Sequence, residues 1–222
     1  MLKSRLCIAF FAFAVGCAPA QKPLTDYVNP MLGTATLWDS VDLGFKPTKR
    51  TWGAEVFPGS SLPNAMVQVS PVTKFHSGAG YQYEDSVIYG FTHTNKGHWN
   101  LCHIPLLPVT GTPTPGDYCS PFSHERESAA PGYYQVFLDR YGVDAQLSST
   151  LRCAFHKYTY PAGAAASLLA DLQRSNEHVR AWDIRKEGDN VFAGWQQTGE
   201  KMYFYAVANR PVTGIEPVVE GD

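Results

Sequence analysis

Residues 133–160 read YYQVFLDRYGVDAQLSSTLRCAFHKYTY, and this stretch decides the fold class. Residues 142–149 alternate strictly between apolar and polar side chains, which is typical of a strand with one buried face. Residues 133–138 and 152–160 are rich in aromatic and β-branched side chains and predict strands on either side of it. Three strands joined by such short connections predict antiparallel β-structure.

The same rhythm continues to the C-terminal end of the chain. Residues 164–172 are apolar throughout and predict a buried strand. Further strands are predicted at 179–185, 190–196 and 202–208, and one earlier strand at 65–69. No amphipathic helix longer than two turns is expected. The fold class predicted from the residues is therefore all-β, with many strands arranged as a sandwich or a barrel.

Composition narrows the functional classes. The chain has 222 residues, of which 44% are hydrophobic and 17% charged, and its formal net charge is −2. That length is enough for one sizeable core. No basic cluster is present, so nothing in the sequence indicates nucleic-acid binding.

The N-terminus predicts export. Lys3 and Arg5 precede an apolar run at residues 6–16 that is too short to span a bilayer. Two processing routes stay open. Ala-Pro-Ala at 18–20 suits ordinary signal peptidase, whereas Ala-Val-Gly-Cys at 14–17 resembles a lipobox that would make Cys17 a lipidation site. Either way the signal peptide or lipoprotein signal lies within residues 1–20, and we expect the mature protein to be periplasmic or lipid-anchored to the bacterial outer membrane.

The number of cysteines predicts the state of at least one thiol. Removing residues 1–20 leaves Cys102, Cys119 and Cys153. An odd count in an exported protein predicts at least one free thiol, unless a bond is intermolecular.

The stretch of greatest functional interest covers residues 80–108, GYQYEDSVIYGFTHTNKGHWNLCHIPLLP. Apolar segments flank a loop rich in aromatic and imidazole side chains, and loops held by a rigid sheet often carry binding groups. Three interpretations stay open: hydrogen-bonding residues that face a ligand, structural histidines, or a metal site. The candidate metal ligands are His93, His98, Cys102 and His103. Their spacing does not place them on one face of a helix or a strand.

Carboxylate chemistry finds weaker support. Glycoside hydrolysis needs two carboxyl groups at a set separation. Glu84 and Asp85 are adjacent and diverge on a strand, and Glu125 and Glu127 are expected to be solvated loop charges. No G-x-S-x-G motif occurs. From the residues alone the chain is an exported β-domain whose aromatic and imidazole groups suit sugar rings.

Four blocks, in order, resemble glycoside hydrolase family 92, the calcium-dependent exo-α-mannosidases. With weaker matches near 204–211, the resemblance covers roughly residues 26–222. The blocks are 26–33 (DYVNPMLG), 57–71 (FPGSSLPNAMVQVSP), 80–94 (GYQYEDSVIYGFTHT) and 124–161 (HERESAAPGYYQVFLDRYGVDAQLSSTLRCAFHKYTYP).

The resemblance implies a two-domain enzyme. In this family an N-terminal β-sandwich packs against a larger (α/α) barrel, and a Glu acid and an Asp base in the barrel hydrolyse α-mannosides with inversion. Calcium holds the mannose hydroxyls. We therefore expect residues 21–222 to be the N-terminal domain, incomplete at its C-terminal end and inactive alone. The expected partners are mannose-containing glycans and the missing catalytic domain, which supplies most of the residues that bind calcium. No catalytic residue or metal ligand is assigned to this chain.

The resemblance also places part of this domain beside the leaving-group sugar. Residues 74–79 lack the Trp typical of α-1,2-specific members, and residues 95–100 replace the usual HLSG, so another mannoside linkage is predicted. The predicted substrate-binding residues on this side are His76, Tyr81, Tyr83, His93, His98, Trp99 and Asn100. Two alternatives are a free-standing exported carbohydrate-binding module without activity and a metal-dependent sensor that uses His93, His98 and His103.

Overall fold

A computed structural model describes residues 21–36, 56–96 and 99–218. The predictions on residues 1–20, on Cys17 and on His98 lie outside the described residues. Within the described residues, two single turns of 3-10 helix occur, at Leu24–Tyr27 and His124–Arg126. The strands in chain order are β1 Ser60–Ser61, β2 Gln68–Val72, β3 Val87–Ile88, β4 Gly90–Thr92, β5 Asn95–Lys96, β6 Trp99–Asn100, β7 Leu106–Thr110, β8 Ser120–Pro121, β9 Glu127–Ala130, β10 Tyr133–Leu138, β11 Val143–Ser149, β12 Ala154–Thr159, β13 Ala166–Ala170, β14 Ala181–Gly188, β15 Val191–Gln197 and β16 Lys201–Val207.

These strands form three main antiparallel sheets. A five-stranded sheet has the order β1-β2-β4-β7-β13, and a four-stranded sheet has the order β12-β11-β10-β9. A three-stranded sheet, β14-β15-β16, follows, and two short ribbons pair β3 with β8 and β5 with β6. The predicted all-β, antiparallel architecture is confirmed.

The main core lies between the five-stranded and the four-stranded sheets. Val143, Ala145 and Leu147 of β11 are at most 1% exposed, which confirms the face predicted from their alternation. They belong to one apolar cluster with Phe91 of β4 and Leu107 of β7. Full burial of side chains of this size stabilises a fold by roughly 1.5–3 kcal/mol each. The sandwich is thus held by the strands that the sequence marks most clearly.

Two strand predictions needed correction. The strand predicted at 65–69 begins only at Gln68, because a turn with a positive φ of 57° at Asn64 occupies the preceding residues. Residues 164–172 do contain a strand, β13, but the prediction that it is buried is wrong. Leu168 is 36% exposed, because β13 is the edge strand of its sheet and pairs with β7 alone among the described strands.

The three-stranded sheet joins the sandwich through a second apolar cluster. Ile104, Leu106 and Leu172 form its buried centre, and Ile184, Met202 and Phe204 pack against it. This contact brings residues 171–200 against the stretch that follows β6. No helix among the described residues is long and apolar enough to cross a membrane.

Candidate functional site

Two neighbouring turns adopt backbone conformations that side-chain-bearing residues rarely accept. Positive φ angles occur at His76 (61°), Cys102 (54°) and Ile104 (54°). Such geometry costs on the order of 1–3 kcal/mol per residue and is most unfavourable for a β-branched side chain. Strain of this kind gathers at ligand-binding surfaces, where the surrounding structure enforces it. We call the turns at residues 74–80 and 99–104, with the side chains they carry, the loop wall.

Asn100 ties the loop wall to the five-stranded sheet. Its side chain is completely buried, and its Oδ1 accepts the amide hydrogen of Cys102 at 2.8 Å. Its Nδ2 donates to Thr92 Oγ1 at 3.1 Å. Gly80 lies directly against it, because a Cβ there would sit 2.6 Å from Asn100 Nδ2. A glycine is therefore required at the junction of the two turns.

The predicted substrate-binding residues divide by exposure. Trp99 is 49% and Tyr83 40% exposed, and His76 is exposed as well. Tyr81 and Asn100 are fully buried, so they can act on a ligand only through the residues they hold. The loop wall brings together His76, Trp99 and Asn100, since the amide of Asn100 donates to the carbonyl of Gly78 at 2.9 Å.

Tyr81 and Tyr83 belong to a different cluster, built around Glu127. The Glu127 side chain is only 1% exposed. Its carboxylate accepts hydrogen bonds from the hydroxyls of Tyr81 at 2.9 Å and Tyr134 at 2.6 Å, and from His124 Nδ1 at 2.5 Å. The prediction that Glu127 is a solvated loop charge is therefore wrong, because three hydrogen-bond donors of the protein take the place of hydrating water around its carboxylate. Glu125, the other half of that prediction, is exposed.

His124 connects this carboxylate to the surface. Its second ring nitrogen, Nε2, lies 2.7 Å from the carbonyl oxygen of Tyr83. Both ring nitrogens thus face oxygen atoms, one of a side chain and one of the backbone. The ring stacks on Tyr83 with centroids 3.9 Å apart. Burial, with Glu127 adding to it, raises the pKa of Tyr81, so this hydroxyl stays a donor.

His93 is enclosed in a chain of hydrogen bonds and contributes to structure. Its Nδ1 lies 2.9 Å from the carbonyl oxygen of Ile104, and its Nε2 lies 2.9 Å from His156 Nε2. His156 Nδ1 in turn lies 2.7 Å from the Tyr158 hydroxyl. Because a carbonyl only accepts, His93 carries its proton on Nδ1, and His156 donates from Nε2. Burial lowers the pKa of His93 to about 4 and that of His156 well below its usual value.

The remaining described histidine of the loop stretch is also occupied. His103 is 2% exposed, and its ring nitrogens contact Thr94 Oγ1 at 2.8 Å and Thr198 Oγ1 at 3.0 Å. Within residues 21–36, 56–96 and 99–218, no group of three or more His, Cys, Asp or Glu side chains is arranged to hold a metal ion. The described residues therefore do not fit a calcium site of their own, whereas the sensor alternative stays untested because His98 lies outside them.

One residue that contacts both turns of the loop wall was not predicted from the sequence. Asn176 Oδ1 accepts the amide hydrogen of His76 at 2.6 Å, and its Nδ2 donates to the carbonyl oxygens of Asn100 at 2.6 Å and Ser77 at 3.2 Å. Its local sequence, QRSNEH at 173–178, is an ordinary polar loop. No local signal could have found it.

Comparison with known families gives the family directly. A sequence profile described as "Glycosyl hydrolase family 92 N-terminal domain" matches residues 27–221. The chain belongs to glycosyl hydrolase family 92. The resemblance seen in the four sequence blocks is thereby confirmed, and the chain carries the N-terminal domain of this glycoside hydrolase family.

Solved structures of family 92 agree with this assignment. The α-mannosidase BT3965 from Bacteroides thetaiotaomicron superposes with a TM-score of 0.74 at 27% identity, over 86% of this chain and 27% of that one. Its complex with mannoimidazole gives 0.73 at 28% identity, over 86% and 26%. The inverting mannosidase BT2199 from the same organism, 22% identical, shares the fold with a TM-score of 0.65 over 84% and 25%. The chain thus spans about a quarter of these relatives. Comparison with curated proteins gave no match.

Proposed function

We propose that this family 92 domain forms the leaving-group side of the substrate pocket in an exported α-mannosidase. The enzyme hydrolyses terminal α-mannosides of glycans with inversion and calcium, and its catalytic carboxylates belong to a domain other than the one described here. Support comes from the relatives. BT3965, a family 92 α-mannosidase, was solved with mannoimidazole, and BT2199 is an inverting mannosidase of the same family.

The observation that carries the proposal is the joint presentation of His76 and Trp99 on the loop wall. Both are exposed on turns whose backbone is strained and tightly hydrogen bonded. An indole offers an apolar face for the C–H groups of a sugar ring, and an imidazole exchanges hydrogen bonds with hydroxyls. A rigid surface of this chemistry recognises a sugar at little ordering cost.

Calcium would contribute from outside the described residues. It is a hard cation that takes oxygen ligands, and such an ion can hold mannose hydroxyls during the ring distortion that favours an oxocarbenium-like transition state. The described residues of this chain hold the leaving-group sugar and keep it oriented. They neither donate nor accept the reacting proton.

A second candidate function is a free-standing carbohydrate-binding module without catalytic activity. The observation that favours it is the apolar core that the described residues form between two sheets. Both candidates require sugar binding by the loop wall. They differ in whether a catalytic domain acts on the bound glycan.

The experiment that tests the proposal measures binding by the purified 222-residue chain. Isothermal calorimetry with α-1,2-, α-1,3- and α-1,6-linked mannobiose is expected to show millimolar binding with preference for a linkage other than α-1,2. Trp99→Ala should abolish it, whereas Trp182→Ala, a matched loss of a 43% exposed Trp elsewhere, should not. Equal binding by both variants would contradict the proposal. Mannobiose hydrolysis by the chain alone with calcium would contradict the assignment of the catalytic groups to another domain.

A further inference from the structure

Asn176 lies where the two turns of the loop wall meet. Besides the three side-chain hydrogen bonds described above, its backbone amide donates to the carbonyl of Leu101 at 3.0 Å. The residue therefore contacts the turn at 74–80 through His76 and Ser77, and the turn at 99–104 through Asn100 and Leu101. One residue thus links two segments that are joined to it only across long stretches of sequence.

The chemistry of the contacts requires a carboxamide. The group facing Oδ1 is an N–H, and the groups facing Nδ2 are two carbonyl oxygens. A carboxamide supplies one acceptor and two donors in this arrangement, whereas a carboxylate supplies acceptors only. The orientation of the amide is consequently fixed by its partners.

We propose that Asn176 is a positioning residue that holds His76 and Trp99 in their sugar-binding arrangement before the sugar arrives. This inference rests on the proposed function. The amide of His76 belongs to a residue with a φ of 61°, a conformation that reverts to a commoner one unless it is held. Asn100, the neighbour of Trp99, is held through its carbonyl by the same side chain. Losing the amide removes the bonds that hold the backbone of His76 against the neighbouring turn, and the sugar must then bear the cost of ordering this contact.

A positioning role differs from a general structural one. All three side-chain hydrogen bonds of Asn176 go to the two turns of the loop wall, and none of them goes to a strand of the two packed sheets. Asn190 offers a matched control, because its Nδ2 donates to the carbonyl of Ala208 at 2.7 Å in the turn of the β14–β16 sheet. An Asn→Asp change at either position removes the same kind of amide-to-carbonyl bond. Only the change at Asn176 touches the loop wall.

The test compares Asn176→Asp, Asn190→Asp and the unaltered 222-residue chain. We expect Asn176→Asp to bind α-1,3-mannobiose at least fivefold more weakly at pH 7, while its urea midpoint falls no further than that of Asn190→Asp. Two facing carbonyls should raise the pKa of the new Asp above its ordinary value of about 3.9. Near pH 5 the protonated acid donates one hydrogen bond again, and affinity relative to the unaltered chain should recover to within twofold.

The possible outcomes distinguish the role of Asn176 from sugar binding by the loop wall itself. Binding by the unaltered chain with equal binding by Asn176→Asp would overturn the inference and leave the proposed function intact. Absence of mannobiose binding by the unaltered chain would contradict the proposed function itself. A measurement on the unaltered chain covers the case in which the variant does not fold. The His76 amide should exchange with D₂O at least 100-fold more slowly than an open loop, and exchange at the open-loop rate would overturn the inference.

Discussion

The Nε2 atoms of His93 and His156 lie 2.9 Å apart, and this contact joins the strand region after β4 to β12 in the opposing sheet. Both rings are neutral in this arrangement, since the only proton between them belongs to His156. The other partners of the pair are the carbonyl of Ile104 and the hydroxyl of Tyr158. The ring of Phe91 also packs near His156. No carboxylate among the described residues is hydrogen bonded to either imidazole, so a proton added here meets no compensating charge.

Stability should therefore fall with acidification. The pKa of His93 is lowered to about 4 in the folded state from 6.5, so between these values the unfolded chain binds more protons. The free energy of unfolding then decreases as pH falls from 6.5 towards 4, by about 3 kcal/mol for His93 alone, and His156 adds to the effect. Urea unfolding at pH 7, 6, 5 and 4.5 measures this. His156→Gln should remove the contribution of His156 and make the dependence shallower, while a flat curve in the unaltered chain would refute the prediction.

Replacing Glu127 by Gln should destabilise the fold strongly. The carboxamide brings a donor into a site where Tyr81, Tyr134 and His124 already donate. Breaking one member of such a buried network costs about 3–5 kcal/mol. Glu125→Gln, two residues away and exposed, should change stability by less than about 0.5 kcal/mol. Equal urea midpoints for the two variants would show that the hydrogen bonds of Glu127 do not stabilise the fold.

Two glycines separate backbone strain from steric conflict. Gly80 and Gly132 have φ angles of 75° and 77°, but a Cβ at Gly80 meets Asn100 Nδ2 at 2.6 Å whereas nothing lies within 4 Å at Gly132. Gly132→Ala should cost about 1 kcal/mol for the left-handed conformation alone. Gly80→Ala should cost at least about 1 kcal/mol more and should weaken mannobiose binding. If the two variants unfold at the same urea concentration, the contact between Gly80 and Asn100 is not tight.

Cys17, which lies outside the described residues, distinguishes the two routes of signal processing. If it is lipidated, Cys17→Ser should move the protein from the membrane fraction to the soluble periplasm, and inhibition of lipoprotein signal peptidase should cause a precursor to accumulate. Cleavage after Ala20 predicts no change in either experiment. Fractionation of expressing cells measures the difference directly.

Local patterns predicted the fold well, because they depend on neighbours in sequence. The alternation at residues 142–149 marked the buried face of β11 correctly. Burial that depends on distant partners was not predictable in this way. The Tyr81 hydroxyl reaches Glu127 from 46 residues away, so a carboxylate in a charged segment proved to be buried.

The candidate site shows the same division. The composition of residues 80–108 marked the turn at 99–104 as a candidate, and Trp99 is exposed on that turn. Sequence could not separate exposed His76 from buried His93, since the difference arises from packing against β12. Asn176, 100 residues from His76, has no sequence signal, because its role exists only once the chain is folded.

The central claim is that the loop wall binds the leaving-group sugar of an α-mannoside. The most direct measurement follows the indole N–H resonances of the five Trp residues during titration of the ¹⁵N-labelled chain with α-1,3-mannobiose. The account predicts a saturable shift of the Trp99 resonance while Trp182 and Trp195 stay in place. An unmoved Trp99 resonance at saturating mannobiose would contradict the account.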